Sequence, residues 1–104
     1  MSEPAFDEDG YPTPGTLRTI QHWPYTDPQG LMEYCYKAWR YADLGYWAQR
    51  GRAYKISTGG WSGNESIIDH LMDNKVFWML CWVSSRRGGH YEFEIPKGKE
   101  TPDE

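Results

Sequence analysis

Residues 46–74 read YWAQRGRAYKISTGGWSGNESIIDHLMDN and carry, in one run, the patterns of two strands and a helix. Short apolar runs over 46–58 flank the polar stretch Gln49-Arg50-Gly51-Arg52. This arrangement predicts a β-hairpin that reverses at Gly51, because glycine readily adopts the backbone angles of a tight reversal.

A glycine-rich loop over 59–64 separates this hairpin from a third helix. Ser62 or Asn64 is the predicted N-terminal cap, since both side chains can accept a hydrogen bond from a free backbone N–H, and Asp73-Asn74 ends the helix. The residues at helical spacing on its inner face are Ile67, Ile68, Leu71 and Met72.

Two earlier helices are predicted to begin at Thr13-Pro14 and Asp27-Pro28, because each pair combines a capping side chain with a proline preset for the first turn. Pro24 ends the first helix near Trp23. The second helix is predicted to run to Gly45 with apolar residues on two sides: Leu31, Tyr34, Cys35, Ala38 and Ala42 on one, and Met32, Tyr36 and Trp39 on the other. Such a helix is either deeply buried or offers one side to a partner.

Residues 76–83, VFWMLCWV, are apolar at every position, which predicts a central strand covered on both faces. Arg87-Gly88-Gly89 predicts a tight turn. Residues 90–95 then alternate, with Tyr91, Phe93 and Ile95 directed inward.

The predicted order of elements is ααββαββ, which indicates an α+β fold: a single domain with a mainly antiparallel four-stranded sheet and helices packed on one face. The chain has 104 residues, a length typical of one domain. We divide it into an acidic flexible lead-in over 1–12, a domain over 13–95, and a polar flexible tail over 96–104.

The formal net charge of −4 belongs to the ends of the chain. Residues 1–9 carry four acids and no base, residues 96–104 carry three acids and two bases, and residues 10–95 carry nine bases and eight acids. Such a body lacks the positive balance of a general nucleic-acid binder. The N-terminus has no apolar segment typical of a signal peptide and no run is long enough to span a bilayer, so we expect a cytoplasmic protein without membrane contact.

Two polar, glycine-bearing segments are the candidate ligand sites, because glycine allows a ligand to approach the backbone and forked arginines grip anions. The first contributes Ser57, Thr58, Trp61, Ser62 and Asn64, and the second contributes Arg86, Arg87 and His90. Both follow strands, so the two bends are predicted to meet around one polar concavity. A tight connection with a capped helix, and a solvated hairpin tip, are the structural alternatives.

Other chemistries find little support in the sequence. The histidines His22, His70 and His90 are scattered and give no metal-ligand spacing, so no metal or cofactor is predicted. No serine or cysteine has the context of a nucleophile, so no catalytic residue is predicted. Nucleic acid is the least favoured partner. The aromatic and basic side chains best placed to bind it are Tyr46, Trp47 and Tyr54 beside Arg50, Arg52 and Lys55.

The segments STGGWSGNE over 57–65, Phe77-Trp78, and SSRRGGHY over 84–91 resemble a widespread group of small bacteriophage and prophage proteins that has no settled function. The resemblance covers about residues 11–95 and is strongest over 57–95. It implies a phage-encoded protein in the host cytoplasm. By analogy, small phage proteins of this kind often bind a host or phage protein, and some modulate host defence.

The leading hypothesis is a non-enzymatic module that binds a protein partner or a second copy of itself. Its basis is the excess of rings, since the chain has 6 Trp, 8 Tyr and 3 Phe, together with the two-sided second helix. The first alternative is a binder of a small anionic ligand or nucleotide through the Gly59–Asn64 loop with Arg86 and Arg87. The second alternative is a binder of single-stranded nucleic acid.

Overall fold

The computed structural model describes residues 3–96, which form four α-helices and four β-strands. In chain order these are α1 (Pro14–Gln21), α2 (Pro28–Ala38), a 3₁₀ turn (Ala42–Leu44), β1 (Trp47–Arg50), β2 (Ala53–Ser57), α3 (Ser62–Asp73), α4 (Lys75–Cys81), β3 (Trp82–Arg86) and β4 (His90–Glu94). The strands form one antiparallel sheet in the order β1-β2-β4-β3, against which the helices pack. The predicted α+β fold class is confirmed.

Both predicted helix starts are confirmed. The Thr13 hydroxyl accepts a hydrogen bond from the Thr16 backbone N–H at 3.2 Å, and the Asp27 carboxylate accepts one from the Gly30 N–H at 3.1 Å. Each bond satisfies an N–H that a helix leaves free in its first turn.

The second helix ends at Ala38, so the prediction that it continues to Gly45 is wrong. Trp39 is extended and its indole N–H donates to the Ser57 carbonyl at 3.0 Å. The Asn64 amide then binds both backbone groups of Arg40, and Tyr41 adopts a left-handed φ of 67°. These bonds to distant segments replace the hydrogen bonds that a longer helix would have made.

The prediction of a central strand over 76–83 is also wrong. Residues 75–81 form α4, and the strand that follows begins only at Trp82 and lies at an edge of the sheet. Phe77 and Cys81, one helical turn apart, are buried, whereas Val76, Met79 and Leu80 are exposed. The segment is apolar throughout because its outward face is apolar too, and not because both faces are covered.

The sheet has one face covered by helices and one open face. Side chains that alternate along β2 and β4 face the helices, and Tyr54, Ile56 and Phe93 are buried there. The predicted alternation over 90–95 is confirmed, with Ile95 buried, Tyr91 half-buried and His90 on the other face. The sheet therefore presents a row of polar side chains to solvent.

Buried amides tie the helical layer together. The Asn74 side chain, 7% exposed, donates to the carbonyls of Ile20 and Trp23 at 3.0 Å each. The predicted cap of α3 is wrong, because Trp61 occupies the cap position and makes no capping hydrogen bond through its side chain. Ser62 is already helical, and Asn64 is turned into the interior.

The predicted lead-in lies against α1. The Ala5 N–H donates to the Thr16 hydroxyl at 2.8 Å, that hydroxyl donates to the Ala5 carbonyl at 3.0 Å, and Phe6 pairs with Pro12. The predicted tail over 96–104 lies outside the described residues except for Pro96. No helix within residues 3–96 combines the length and the apolar composition needed to cross a bilayer.

Candidate functional site

The structure brings the two glycine-bearing bends together. The Thr58 N–H donates to the Gly89 carbonyl at 3.0 Å, and Ser57 pairs with His90 across β2 and β4. The Ser57 hydroxyl lies 2.7 Å from Nδ1 of His90. These contacts follow from antiparallel pairing, because the end of β2 necessarily faces the start of β4.

Arg86 extends this group across the open face of the sheet. It pairs with His90 between β3 and β4, and its guanidinium lies 3.8 Å from the Glu92 carboxylate. Arg87, next to it, is exposed and forms no ion pair with any residue of 3–96. We call Ser57, Arg86 and His90 the bend site.

Trp61 and Ser62 lie away from the bend site, so the predicted concavity does not form with them. The Trp61 ring packs on Tyr11, with centroids 4.9 Å apart, and carries the Arg40 guanidinium 4.7 Å from its centroid. The Ser62 hydroxyl donates to the Tyr11 hydroxyl at 3.4 Å. Both side chains thus fasten the N-terminal segment to α3.

Thr58 and Asn64 are buried and have structural hydrogen bonds. The Thr58 hydroxyl accepts from the Gly60 N–H at 3.2 Å. Asn64 donates to the Thr58 carbonyl at 3.2 Å in addition to its two bonds with Arg40. Of the eight predicted ligand residues, the structure therefore groups only Ser57, Arg86 and His90 on one solvent-facing surface, with Arg87 beside them.

The hairpin places its aromatic rings and its basic side chains on opposite faces of the sheet. Tyr54 is buried and Trp47 half-buried on the helix-covered face, whereas Arg50 and Lys55 lie on the open face. Stacked bases held by neighbouring cations need both on one side. The alternative interpretation, hairpin rings packed against the helices, describes this region.

A group of exposed apolar side chains lies on α4 and β3, where sequence reasoning predicted a buried strand. We call it the α4–β3 surface, and it consists of Val76, Met79, Leu80, Trp82 and Val83, between 39% and 74% exposed. Val76, Met79 and Leu80 recur at i, i+3 and i+4, which is the spacing of one helical face, and Trp82 and Val83 follow in β3. That spacing was the available signal, and the strand prediction hid it.

A free sheet edge adjoins this surface. β3 pairs only with β4 among the described strands, so its outer backbone N–H and C=O groups have no strand partner there. Trp82 is ordered on this edge, since its ring stacks on Trp78 at 6.0 Å and its indole N–H donates to the Ser85 hydroxyl at 2.7 Å. These two contacts fix the position of the Trp82 ring although it is 42% exposed.

Both cysteines are free thiols in the interior. Burial raises the pKa of Cys35, and it raises that of Cys81 from 9.0 to about 11. Thiols held in the protonated form are poor nucleophiles. Within residues 3–96 no three His, Cys, Asp or Glu side chains converge as a metal site would require.

Comparison with known proteins gives no match to a family model, to a curated protein or to a solved structure. Function is therefore inferred from the chemistry of these surfaces.

Proposed function

We propose that the protein is a non-enzymatic interaction module that binds a protein partner through the α4–β3 surface. One observation carries the proposal: three large exposed apolar side chains share one face of α4, two more follow on β3, and the outer edge of β3 has no partner among the described strands. Single exposed apolar residues are ordinary on a protein surface, but adjoining ones mark contact sites. Met79, 74% exposed, stands at the centre of the helical face.

The surroundings of the surface indicate the chemistry of the partner. Lys75 lies 3.9 Å from the Asp73 carboxylate and Arg86 lies 3.8 Å from that of Glu92, whereas Arg87, which follows β3, forms no ion pair within residues 3–96. An extended segment can hydrogen-bond to the free edge of β3 and place its apolar residues on α4. We therefore infer a partner segment that is extended, apolar and acidic.

The resemblance to small phage proteins adds a biological proposal. The partner would then be a host or phage protein in the host cytoplasm, and its capture would modulate host defence. This part rests on the resemblance alone, whereas the α4–β3 surface supports the binding of a protein.

A peptide selection tests the proposal without knowledge of the natural partner. Peptides from a random library are selected on the immobilised protein, and the affinity of each is measured by fluorescence anisotropy. Selected sequences should be apolar and acidic. Met79→Glu should weaken them at least about tenfold, because it places a charge in the apolar contact and opposes acidic ligands.

Leu44→Glu is the matched control, since Leu44 is 71% exposed on the 3₁₀ turn beside the opposite sheet edge. It should leave the affinity unchanged. Equal effects of the two changes would overturn the proposal. Light scattering across a concentration series adds a second arm: a dimer that Met79→Glu dissociates would make a second copy the occupant and refute a separate partner.

The bend site supports a second candidate function, the binding of a small anion. Arg86 and His90 stand on one open face beside the Ser57 hydroxyl, and Arg87 adjoins them. Inorganic phosphate and a nucleoside triphosphate should then raise the melting temperature, and Arg86→Ala should abolish the shift. Arg18→Ala, an exposed change on α1, is the control, and an unchanged shift in Arg86→Ala rejects this site.

A further inference from the structure

A cavity of about 370 Å³ lies between α2 and the hairpin, at the edge of the sheet opposite the α4–β3 surface. Its lining residues are Met32, Glu33, Tyr36, Trp47, Gln49 and Tyr54. This volume falls at the lower end of the range for small-ligand sites, roughly 300–1,000 Å³.

Three aromatic rings form adjoining walls of this cavity. The Tyr36 and Trp47 centroids lie 5.5 Å apart with planes at 67°, and the Trp47 and Tyr54 centroids lie 6.0 Å apart with planes at 77°. Nearly perpendicular rings enclose a corner rather than a flat shelf. In such edge-to-face pairs the edge of one ring meets the face of the next, so a cation is attracted by the ring faces that remain turned toward the cavity.

The charge at the cavity has the sign that a cation requires. Glu33 is exposed on the rim and forms no ion pair with the described part of the chain. Lys37, one turn further along α2, is bound to Glu3 at 3.1 Å instead. Burial first, and then the charge of Glu33, raise the pKa of the Tyr54 hydroxyl.

The Tyr54 hydroxyl is a polar group that the cavity offers to a ligand. Tyr54 is only 4% exposed and lines the cavity, and its hydroxyl makes no hydrogen bond with any group of residues 3–96. Buried hydroxyls usually have a partner, so a ligand or water in the cavity would meet this need.

We propose that this cavity binds an organic cation with a methylated ammonium head, held by the rings of Tyr36, Trp47 and Tyr54 and by the carboxylate of Glu33. A methylated head group suits apolar ring faces because it is large, weakly hydrated and positively charged. The head group belongs either to a free small molecule such as choline or to a methylated lysine side chain. The proposal is independent of the α4–β3 surface, which lies at the other edge.

Calorimetric titration of the intact protein tests this inference with four probes. Tetramethylammonium is the minimal head group, choline is the free source, a peptide with trimethyl-lysine is the side-chain source, and 3,3-dimethylbutanol is the neutral analogue of choline. We expect saturable binding of the cations and none of the neutral analogue. A tighter complex with choline or with the peptide identifies the source.

Tyr36 is 43% exposed, so we expect its variants to preserve the fold. Tyr36→Leu should weaken binding of the cations roughly two- to thirty-fold, whereas Tyr36→Phe, which keeps the ring, should retain it. Glu33→Gln should weaken binding most at low salt. Tyr25→Leu is the matched control, since Tyr25 is 54% exposed and outside the cavity.

Three results would overturn the inference: no saturable binding of any cation, equal binding of 3,3-dimethylbutanol and choline, or equal losses in Tyr36→Leu and Tyr25→Leu. Because Met79→Glu does not touch the cavity, its effect on peptide binding is scored separately from these titrations.

Discussion

The two edges of the sheet carry apolar side chains in opposite ways. At the β1 edge, Trp47 is enclosed by rings, with Tyr36 and Trp39 each 5.5 Å away and Tyr54 at 6.0 Å. At the β3 edge, Met79 and its neighbours on α4 project into solvent. Among the described strands both β1 and β3 have one unpaired edge, so the difference lies in the side chains: rings pack on one another at β1, whereas aliphatic side chains of α4 face solvent beside β3.

The exposed apolar surface lies on a different segment from the one that the sequence predicted. The surplus of rings and the two-sided second helix were expected to supply it, but Met32 on α2 and Trp39 just beyond its end are buried, and of that side Tyr36 alone is exposed. Aromatic rings pack on one another efficiently in a small domain. The open surface is instead mainly aliphatic and belongs to the segment predicted as a buried strand.

The sharpest way to break this comparison is to substitute Phe77 and Met79 separately. Two residues apart, they would share a face in a strand, but they lie on opposite sides of α4, with Phe77 1% and Met79 74% exposed. Phe77→Ala should lower the free energy of unfolding by about 3–5 kcal/mol, since it opens a cavity beside Phe93.

Met79→Ala, the matched control, should change the same quantity by less than about 0.5 kcal/mol. Urea unfolding followed by circular dichroism measures both. Similar losses for the two variants would contradict the helix and, with it, the open surface at the β3 edge.

The ring packing at the β1 edge depends on Asn64, which binds the backbone of Arg40 between α2 and β1. Asn64→Ala removes hydrogen bonds to the Arg40 N–H, the Arg40 carbonyl and the Thr58 carbonyl and leaves buried polar groups unpaired. We expect a loss of about 3 kcal/mol in the free energy of unfolding. Gln49→Ala, which removes one exposed amide bond, should cost less than about 0.5 kcal/mol; equal costs would show that Asn64 does not hold this connection.

Short-range sequence patterns predicted the parts of the fold in which apolar and polar residues are clearly separated along the chain. The hairpin and the alternation over 90–95 follow from apolar and polar residues in turn, and the two helix starts follow from caps within three residues. The end of α2 depends on Trp39 and Arg40 binding to groups 18 and 24 residues away. Pattern analysis within a short window contains no such information.

The candidate site also has one part that strand pairing predicts and another part that depends on distant segments. Strand pairing was enough to bring Ser57 next to His90. Trp61, in contrast, is oriented by Tyr11 and Arg40, which come from distant segments. The α4–β3 surface was missed because an exposed apolar face removes the contrast from which a helix is recognised.

A thiol beneath each edge gives the smallest and last test. Cys35 lies on α2 and Cys81 ends α4, and burial raises the pKa of both, that of Cys81 from 9.0 to about 11. Below pH 9 the folded and unfolded chains both hold these protons, so their contribution to stability is complete. Between pH 9 and about 11 the unfolded chain ionises first, so the free energy of unfolding falls as pH rises, by about 1.4 kcal/mol per pH unit for each thiol.

Urea titrations between pH 8 and 10 measure this slope. Cys81→Ala and Cys35→Ala should each reduce it by about the contribution of one thiol, when the stability of each variant is expressed relative to its own value at pH 7. If only Cys35→Ala flattens the curve, then Cys81 ionises in the folded state, and the interior beneath α4 is as open as the surface above it.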